Sequence, residues 1–183
     1  MEYNNISNGM IANSSKYINS LKEYELDLRG KRIAELSNLS MTRDVFEAVD
    51  LADNELSELS AIPKLPRLKT LLLMNNRIGS IPPALSSLLP NLVALHLQNN
   101  GISSLSSLAG LSTLRHLRYL SLVDNPVTKL PHYEDTVVFL CRSLRVLDFA
   151  VIPSSHRSNA RTFFKTDEGI KLLTFINTFI NKE

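Results

Sequence analysis

Three aspartates occupy outward positions of short alternating segments, where carboxylates could serve as a general acid and a general base. They are Asp27, Asp50 and Asp148. The segments that carry Asp27 and Asp148 are the first and the last of six predicted strands, roughly five strand spacings of ~4.8 Å apart. That separation excludes joint action of these two carboxylates on one bond.

The other residues with reactive side chains are scattered. Four histidines, His96, His116, His132 and His156, have no metal-ligand neighbour at helical spacing. The single cysteine, Cys141, excludes a disulfide framework and a cysteine-based metal cage within this chain. Phosphate-binding loops, G-x-S-x-G elbows and H-E-x-x-H zinc motifs do not occur. We therefore expect no enzyme activity, no metal site, no cofactor and no small-molecule substrate.

Composition indicates one ordinary globular domain. The chain has 183 residues, of which 44% are hydrophobic and 21% charged. It lacks a long apolar run and a secretory leader pattern, so we expect a reduced, intracellular, soluble protein that binds no membrane. Residues 1–60 hold 6 basic and 11 acidic side chains, whereas residues 61–114 hold 4 basic and none acidic. The net charge of +2 is unlike that of a strong non-specific nucleic-acid binder. The basic part could lie beside a phosphate backbone supplied by a partner, with ordinary surface variation as the alternative.

An internal repeat dominates the sequence. One template recurs in FEAVDLADNEL (46–56), LKTLLLMNNRI (68–78), LVALHLQNNGI (92–102) and LRYLSLVDNPV (117–127). Its asparagines, Asn54, Asn76, Asn100 and Asn125, are spaced 22, 24 and 25 residues apart. This period and the pattern L-x-x-L-x-L-x-x-N-x-L are typical of leucine-rich repeats.

The template predicts an α/β solenoid with a parallel sheet on its concave face. The L-x-L alternation is that of a strand, and one repeat cannot close a core alone, so neighbouring repeats must stack. Each asparagine amide can both donate and accept, and we expect it to bond backbone groups where the chain leaves the strand. Leucines spaced by three or four residues between the strands predict short helical or 3₁₀ turns on the convex side.

We expect helical caps at both ends. Residues 1–22 and 128–165 are the predicted caps of a repeat domain spanning 1–165, and 166–183 is predicted to form a C-terminal amphipathic helix. A weak helical face occurs within 8–22, and Tyr133, Val137 and Leu140 recur at helical spacing. The C-terminal helix either packs on the repeats or binds a partner.

The predicted concave face suggests a protein interface. Leu72, Met74, Tyr119 and Val123 are apolar, and the alternation places them outward together in the middle of the sheet. A contiguous apolar patch with a charged rim marks a protein-binding surface. We therefore hypothesise that the concave face binds an amphipathic helix of another protein.

Particular segments resemble the U2 small nuclear ribonucleoprotein A-prime family of the spliceosome. These segments are YELDLRGKRI (24–33), VDLADNELSEL (49–59), LPRLKTLLLMNNRI (65–78), NPVTKLPHY (125–133), SLRVLDF (143–149) and HRSNARTFF (156–164). The resemblance covers about residues 10–165. ELDLRG and NPVT-x-x-x-HY are more specific than the general repeat template.

The resemblance implies a nuclear binding module. Family members hold a helix of an RNA-recognition-motif (RRM) protein, called B-double-prime, in the concave face, and the pair binds a stem-loop of U2 small nuclear RNA. By position, the residues implied for the partner helix are Asp27, Arg29, Asp50, Leu72, Met74, His96, Gln98, Tyr119, Val123 and Asp148. Those implied for the RNA backbone are Lys22, Arg29, Arg157, Arg161 and Lys165. The alternative is a regulatory subunit that docks a phosphatase or a motor protein through the same face.

Overall fold

A computed structural model describes residues 5–180 and contains one eight-stranded sheet whose strand order follows the chain. Strands β2 to β7 are parallel, whereas β1 and β8 run antiparallel to their neighbours. The strands are β1 Lys16–Ile18, β2 Tyr24–Asp27, β3 Ala48–Asp50, β4 Thr70–Leu72, β5 Ala94–His96, β6 Tyr119–Ser121, β7 Val146–Leu147 and β8 Ala150–Val151. The repeat solenoid with a parallel sheet is therefore confirmed.

The core lies behind the sheet. Inward residues of neighbouring strands are in register, so that Leu71 lies beside Leu95 and Leu95 beside Leu120. All three are buried. A second inward leucine follows each strand, for example Leu73, and is equally buried. Stacking in register gives each repeat apolar neighbours on both sides, which a single repeat could not supply.

The four template asparagines form the predicted scaffold. Asn76 donates to the backbone oxygens of Leu51 and Leu73 at 3.0 and 3.1 Å, and its Oδ1 accepts from the Leu56 backbone N–H at 3.0 Å. Asn54, Asn100 and Asn125 make equivalent bonds. Each amide thus joins its own turn to the preceding repeat, and the prediction of a structural role is confirmed.

Short helical turns close the convex side, as expected. They are the 3₁₀ segments Ser37–Thr42, Ser106–Thr113 and Pro126–Lys129, and the one-turn helix α2, Leu85–Leu88. Their leucines point into the core, including Leu85, Leu108 and Leu111. Tight turns leave less backbone on the convex side than a full helix would, which suits repeats of this length.

The N-terminal cap differs from the prediction. A helix forms only over α1, Asn8–Asn13, and Lys16–Ile18 is a strand that pairs with β2. The sheet has eight strands rather than six because a short antiparallel strand covers each end. Ser7 caps α1 by accepting from the Met10 backbone N–H at 3.1 Å, and the chain leaves the helix at Ser14 in an extended conformation.

The C-terminal cap contains three helices. These are α3 Tyr133–Leu140, α4 Ser154–Phe163 and α5 Asp167–Ile180. Helix α3 buries Tyr133, Val137 and Leu140, as the spacing predicts. Helix α5 packs on the convex 3₁₀ segment Ser106–Thr113, and its Ile176 is 0% exposed. Helix α5 therefore lies behind the sheet, away from the concave face. The boundary between 165 and 166 stays a prediction.

Membrane-spanning helices and metal-binding clusters are both absent from residues 5–180. In this part of the chain no helix is long and apolar enough to cross a bilayer. In the same residues, no group of three or more His, Cys, Asp or Glu side chains is arranged to hold a metal ion.

Candidate protein-binding face

The concave face carries three rows of side chains set by the strand register. The lower row is Glu25, Ala48, Thr70, Ala94, Tyr119 and Val146. The middle row is Asp27, Asp50, Leu72, His96 and Ser121. The upper row is Arg29, Ala52, Met74, Gln98 and Val123, where backbone bonds continue past the strands, as from Asp53 N to Met74 O at 2.9 Å. Nine of the ten residues predicted for the partner helix lie in these rows; the tenth, Asp148, does not.

One end of the face is acidic. Arg29 Nη2 lies 2.9 Å from Asp27 Oδ2, and Arg29 Nε lies 3.3 Å from Asp50 Oδ2. The hydrogen bond from Arg29 holds the pKa of Asp27 below its usual value. Burial raises the pKa of Asp50, which the neighbouring guanidinium only partly offsets. One arginine therefore pairs with two carboxylates, so a basic side chain of a partner would be stabilised at this end of the face.

Strand β1 adds a residue that sequence reasoning missed. Tyr17 lies opposite Glu25 in the antiparallel pair, and its hydroxyl donates to Glu25 Oε1 at 2.8 Å. That hydrogen bond raises the pKa of Tyr17 to about 12. Asn19 Nδ2 donates to Glu25 Oε2 at 2.8 Å. Three residues are too few for an alternation signal, so Tyr17 could not be placed on this face from the sequence.

The middle of the face is less open than predicted. Leu72, Met74 and Val123 point outward but are half-buried rather than exposed, because neighbouring rows crowd together on the inside of a curved sheet. Small buried residues, Ala48 and Ala94, form the floor of the lower row. The apolar side chains in the middle of the face therefore do not protrude as an exposed patch.

His96 lies at the centre of the middle row. Burial lowers its pKa, so the imidazole is neutral at pH 7. Gln98 Nε2 lies 3.5 Å from His96 Nδ1. Gln98 Oε1 and Ser121 Oγ are buried, and among the described residues neither has a hydrogen-bond partner. This part of the face offers polar groups without charge.

Exposed apolar side chains gather at the C-terminal end. Tyr119 is 46% exposed and Val151 is 76% exposed. Val146 lies beside Tyr119 on one side and opposite Val151 on the other, which puts all three on the concave face. Phe149, in the turn between β7 and β8, is 71% exposed. Phe149 and Val151 were not predicted, because nothing in the local pattern indicates a strand reversal there.

Asp148 was predicted to be an outward strand residue, and this prediction is wrong. Strand β7 ends at Leu147, and Asp148 has a left-handed backbone with φ of 48°. Its Oδ1 accepts from the Leu122 backbone N–H at 2.6 Å and its Oδ2 from the Tyr133 hydroxyl at 2.8 Å. Both oxygens are therefore engaged within the fold, and a role in partner binding stays a prediction.

The residues predicted for RNA do not come together. Lys22 and Arg29 lie at the N-terminal end of the solenoid, whereas Arg157, Arg161 and Lys165 lie on or just after α4 at the other end. Lys22, Arg161 and Lys165 are exposed. Arg157 is half-buried and donates to the backbone oxygens of Arg142 and Leu144. RNA contacts by these five residues stay a prediction.

Comparison with known proteins agrees with this geometry. The family model described as "Leucine-rich repeat" matches residues 4–177. The U2 small nuclear ribonucleoprotein A′ of Arabidopsis thaliana is 43% identical over 87% of this chain, and that of Homo sapiens is 42% identical over 89%. The chain spans 64% of the length of each of these relatives.

A solved structure is similar throughout. A chain in the crystal structure of the Drosophila melanogaster SNF/U2A′ complex superposes with a TM-score of 0.88 and 41% identity, over 93% of this chain and 98% of that one. Sequence similarity, the repeat family and the superposition thus agree across nearly the whole molecule. The chain belongs to the U2 small nuclear ribonucleoprotein A′ family of leucine-rich repeat proteins.

Proposed function

We propose that this chain is a non-enzymatic component of the U2 small nuclear ribonucleoprotein and acts in the nucleus. Its concave face binds a helix of an RRM protein of the B-double-prime type, and the pair binds a stem-loop of U2 small nuclear RNA. The similarity to a chain of the SNF/U2A′ complex, with a TM-score of 0.88, is the observation that carries this proposal. In this role the chain positions its partner and catalyses no reaction.

The dimensions of the face support a helical partner. Six parallel strands at ~4.8 Å spacing span about 24 Å. An α-helix rises about 1.5 Å per residue, so a helix of about 16 residues is long enough to cross all six strands. Small floor residues such as Ala48 and Ala94 leave room for side chains of the helix to enter.

The distribution of polarity predicts the chemistry of the partner helix. Its apolar stripe would contact Leu72, Met74 and Val123 and extend to Tyr119 at the C-terminal end. A basic side chain would lie toward Asp27 and Asp50, where one guanidinium now serves two carboxylates. Such complementarity sets orientation more than affinity.

The alternative function is a regulatory subunit that docks a phosphatase or a motor protein. It would use the same concave face, so disruption of that face cannot separate the two functions. The identity of the protein that binds separates them: an RRM protein supports the proposal, and a phosphatase catalytic subunit in its place contradicts it.

Titration calorimetry with a recombinant RRM protein of the B-double-prime type tests the proposal. The double variant Tyr119→Ala, Met74→Ala should weaken binding at least tenfold, since truncation of a main apolar anchor costs about 2 kcal/mol or more. Ile170→Ala is the matched control, because it removes an exposed apolar side chain from helix α5. Circular dichroism confirms that both variants are folded.

The proposed binding of RNA by the pair is tested separately. Adding a U2 stem-loop should give tight binding to the preformed pair and weak binding to the chain alone at physiological salt. Unchanged affinity of the double variant for the RRM protein would contradict the concave-face site. Equal RNA affinity of the chain and the pair would contradict the assignment of RNA recognition to the complex.

A further inference from the structure

Positive charge collects at the lower edge of the C-terminal repeats. Residues 59–123 contain no Asp or Glu. Six arginines follow one another around this part of the surface, and we call them the arginine rim. They are Arg115, Arg118, Arg142, Arg145, Arg157 and Arg161.

Two members of the rim lie side by side. Arg118 and Arg145 immediately precede β6 and β7, at the edge where the parallel strands begin. The Arg145 backbone N–H donates to Arg118 O at 2.8 Å, which fixes the two residues on neighbouring strands. Like charges in such positions repel each other and destabilise a sheet. A bound anion would remove that repulsion.

Three neighbouring depressions connect the rest of the rim. The first, of about 470 Å³, is lined by Arg115 and His116 among others. The second, of about 790 Å³, shares Arg115 with it and adds Arg118 and Arg142. The third, of about 190 Å³, shares Arg142 and adds Arg157 and Arg161. Among the described residues, no carboxylate lines any of the three.

The rim is not neutralised within the fold. Elsewhere, Arg29 and Lys69 lie 2.9 and 2.7 Å from carboxylate oxygens. Within residues 5–180, no rim arginine has a carboxylate within ion-pair distance. Arg157 instead donates to the backbone oxygens of Arg142 and Leu144, which fastens α4 to the loop that carries Arg142. The other arginines are thereby presented on a fixed framework.

The geometry points to an extended phosphate ligand. The planar guanidinium fork matches phosphate oxygens, and a row of such groups suits a chain of phosphates better than a single anion. The phenylalanine that lines the third depression, Phe139, is half-buried with its centroid 4.2 Å from that of Phe164, so it is not free to stack on a base. Contacts here would therefore be to the backbone and independent of base sequence.

We propose that the arginine rim binds the phosphate backbone of an RNA stem. The choice of RNA as the polyanion rests on the proposed function. The second depression is lined by Leu173 and Asn177 of α5, which packs on the convex side, so the rim lies away from the middle of the concave face. A partner helix and an RNA stem could thus bind at the same time. This surface includes Arg115, Arg118, Arg142 and Arg145, which had not been predicted for RNA.

Fluorescence anisotropy of the whole chain with a labelled RNA hairpin tests this proposal. The rim variant is Arg115→Gln, Arg142→Gln, Arg145→Gln, since all three side chains are exposed. The control variant is Arg32→Gln, Arg43→Gln, Arg77→Gln, which removes the same charge at exposed positions outside the rim. Each is titrated between about 50 and about 200 mM salt, the range in which phosphate contacts are lost.

The rim variant should bind at least about tenfold more weakly at low salt, and its plot of log K against log salt should be shallower by about 2–3. The control variant should lose less affinity, and a hairpin with an inverted stem sequence should bind the wild type equally well. The proposal is overturned if the two variants behave alike, if the wild type does not bind at low salt, if stem sequence matters, or if polyglutamate binds as tightly as RNA.

This assay uses the chain without its protein partner, so its outcome does not depend on the concave face. The rim variant should also bind the RRM protein as the wild type does in calorimetry. Loss of RNA binding with partner binding retained supports the rim. Failure of the RRM protein to bind any form of the chain contradicts the proposed function and leaves the rim result standing.

Discussion

The hydroxyl of Tyr133 donates to Asp148 Oδ2 at 2.8 Å and joins the start of α3 to the turn between β7 and β8. Burial, followed by the charge of Asp148, raises the pKa of Tyr133 well above its usual value. The other carboxylate oxygen accepts from the Leu122 backbone N–H at 2.6 Å. One aspartate therefore connects the last full repeat to the C-terminal cap.

Tyr133→Phe should lower the free energy of unfolding by about 1.5–3 kcal/mol, because a buried hydrogen bond to a charged acceptor is lost. Urea unfolding followed by circular dichroism measures this change. Tyr119→Phe is the control, since the Tyr119 ring is half exposed on the open face. Equal stability of the Tyr133→Phe variant and the wild type would show that the bond contributes nothing to the cap.

Asn76→Ala should destabilise the chain by about 2–4 kcal/mol. The substitution leaves the Leu51 and Leu73 carbonyls and the Leu56 N–H without their side-chain partner in a buried turn. Asn177→Ala, at an exposed site on α5, should change stability by less than about 0.5 kcal/mol. A loss at Asn76 no larger than that at Asn177 would contradict the scaffold role.

Gly110→Ala should destabilise the chain by about 3 kcal/mol or more or prevent folding. An added Cβ would lie 2.6 Å from the Pro82 backbone oxygen and closer still to that of Ile81. Gly79→Ala is a matched control because a Cβ there meets no atom within 4 Å. Thermal unfolding of both variants should show a lower Tm for Gly110→Ala alone.

The Arg29→Gln variant should lose less free energy of unfolding on acidification than the wild type does. Asp27 has a lowered pKa, so its contribution is present above its unfolded pKa and is lost as the pH falls through the folded value. Asp50 has a raised pKa and acts in the opposite sense, destabilising the fold when it is ionised. The variant should therefore be less stable than the wild type at pH 7, by about 0.5–1 kcal/mol. The deficit should shrink as the pH falls through the ordinary carboxyl range and below it, where first Asp50 and then Asp27 becomes protonated.

Urea titrations across this pH range measure the effect. Arg32→Gln is the charge-matched control because Arg32 is exposed and has no carboxylate partner within residues 5–180. A deficit for Arg29→Gln that stays constant with pH would exclude coupling to the two aspartates.

The repeats were predictable because the same physical constraint acts on each of them. Inward leucines of neighbouring repeats stack, as Leu71, Leu95 and Leu120 do. Loss of one of them would leave a cavity shared by two repeats, so the same leucine pattern recurs in each repeat. The helix α3 was equally predictable from the spacing of its apolar residues. Asn76 and its equivalents could be assigned to the scaffold because a side-chain amide can both donate and accept, as the turn requires.

The ends and the curvature were not predictable in the same way. Strand β1 has three residues and β8 has two, which is too short for an alternation to stand out. The reversal after Leu147 depends on left-handed backbone at Asp148 and Phe149, and an aromatic residue rarely adopts that conformation. The exposed fraction of the side chains in the middle of the face depends on how closely the rows of the curved sheet approach each other. The arginine rim forms only because the fold brings separate loops together.

The antiparallel strands at the two ends limit how this molecule can assemble. An unpaired parallel strand would be a template on which another copy could add repeats without limit. Here the outermost strands are short and antiparallel to their neighbours, so few backbone groups are available to pair with another chain. Association through extended main chain is thereby disfavoured, and partners must be selected by side chains.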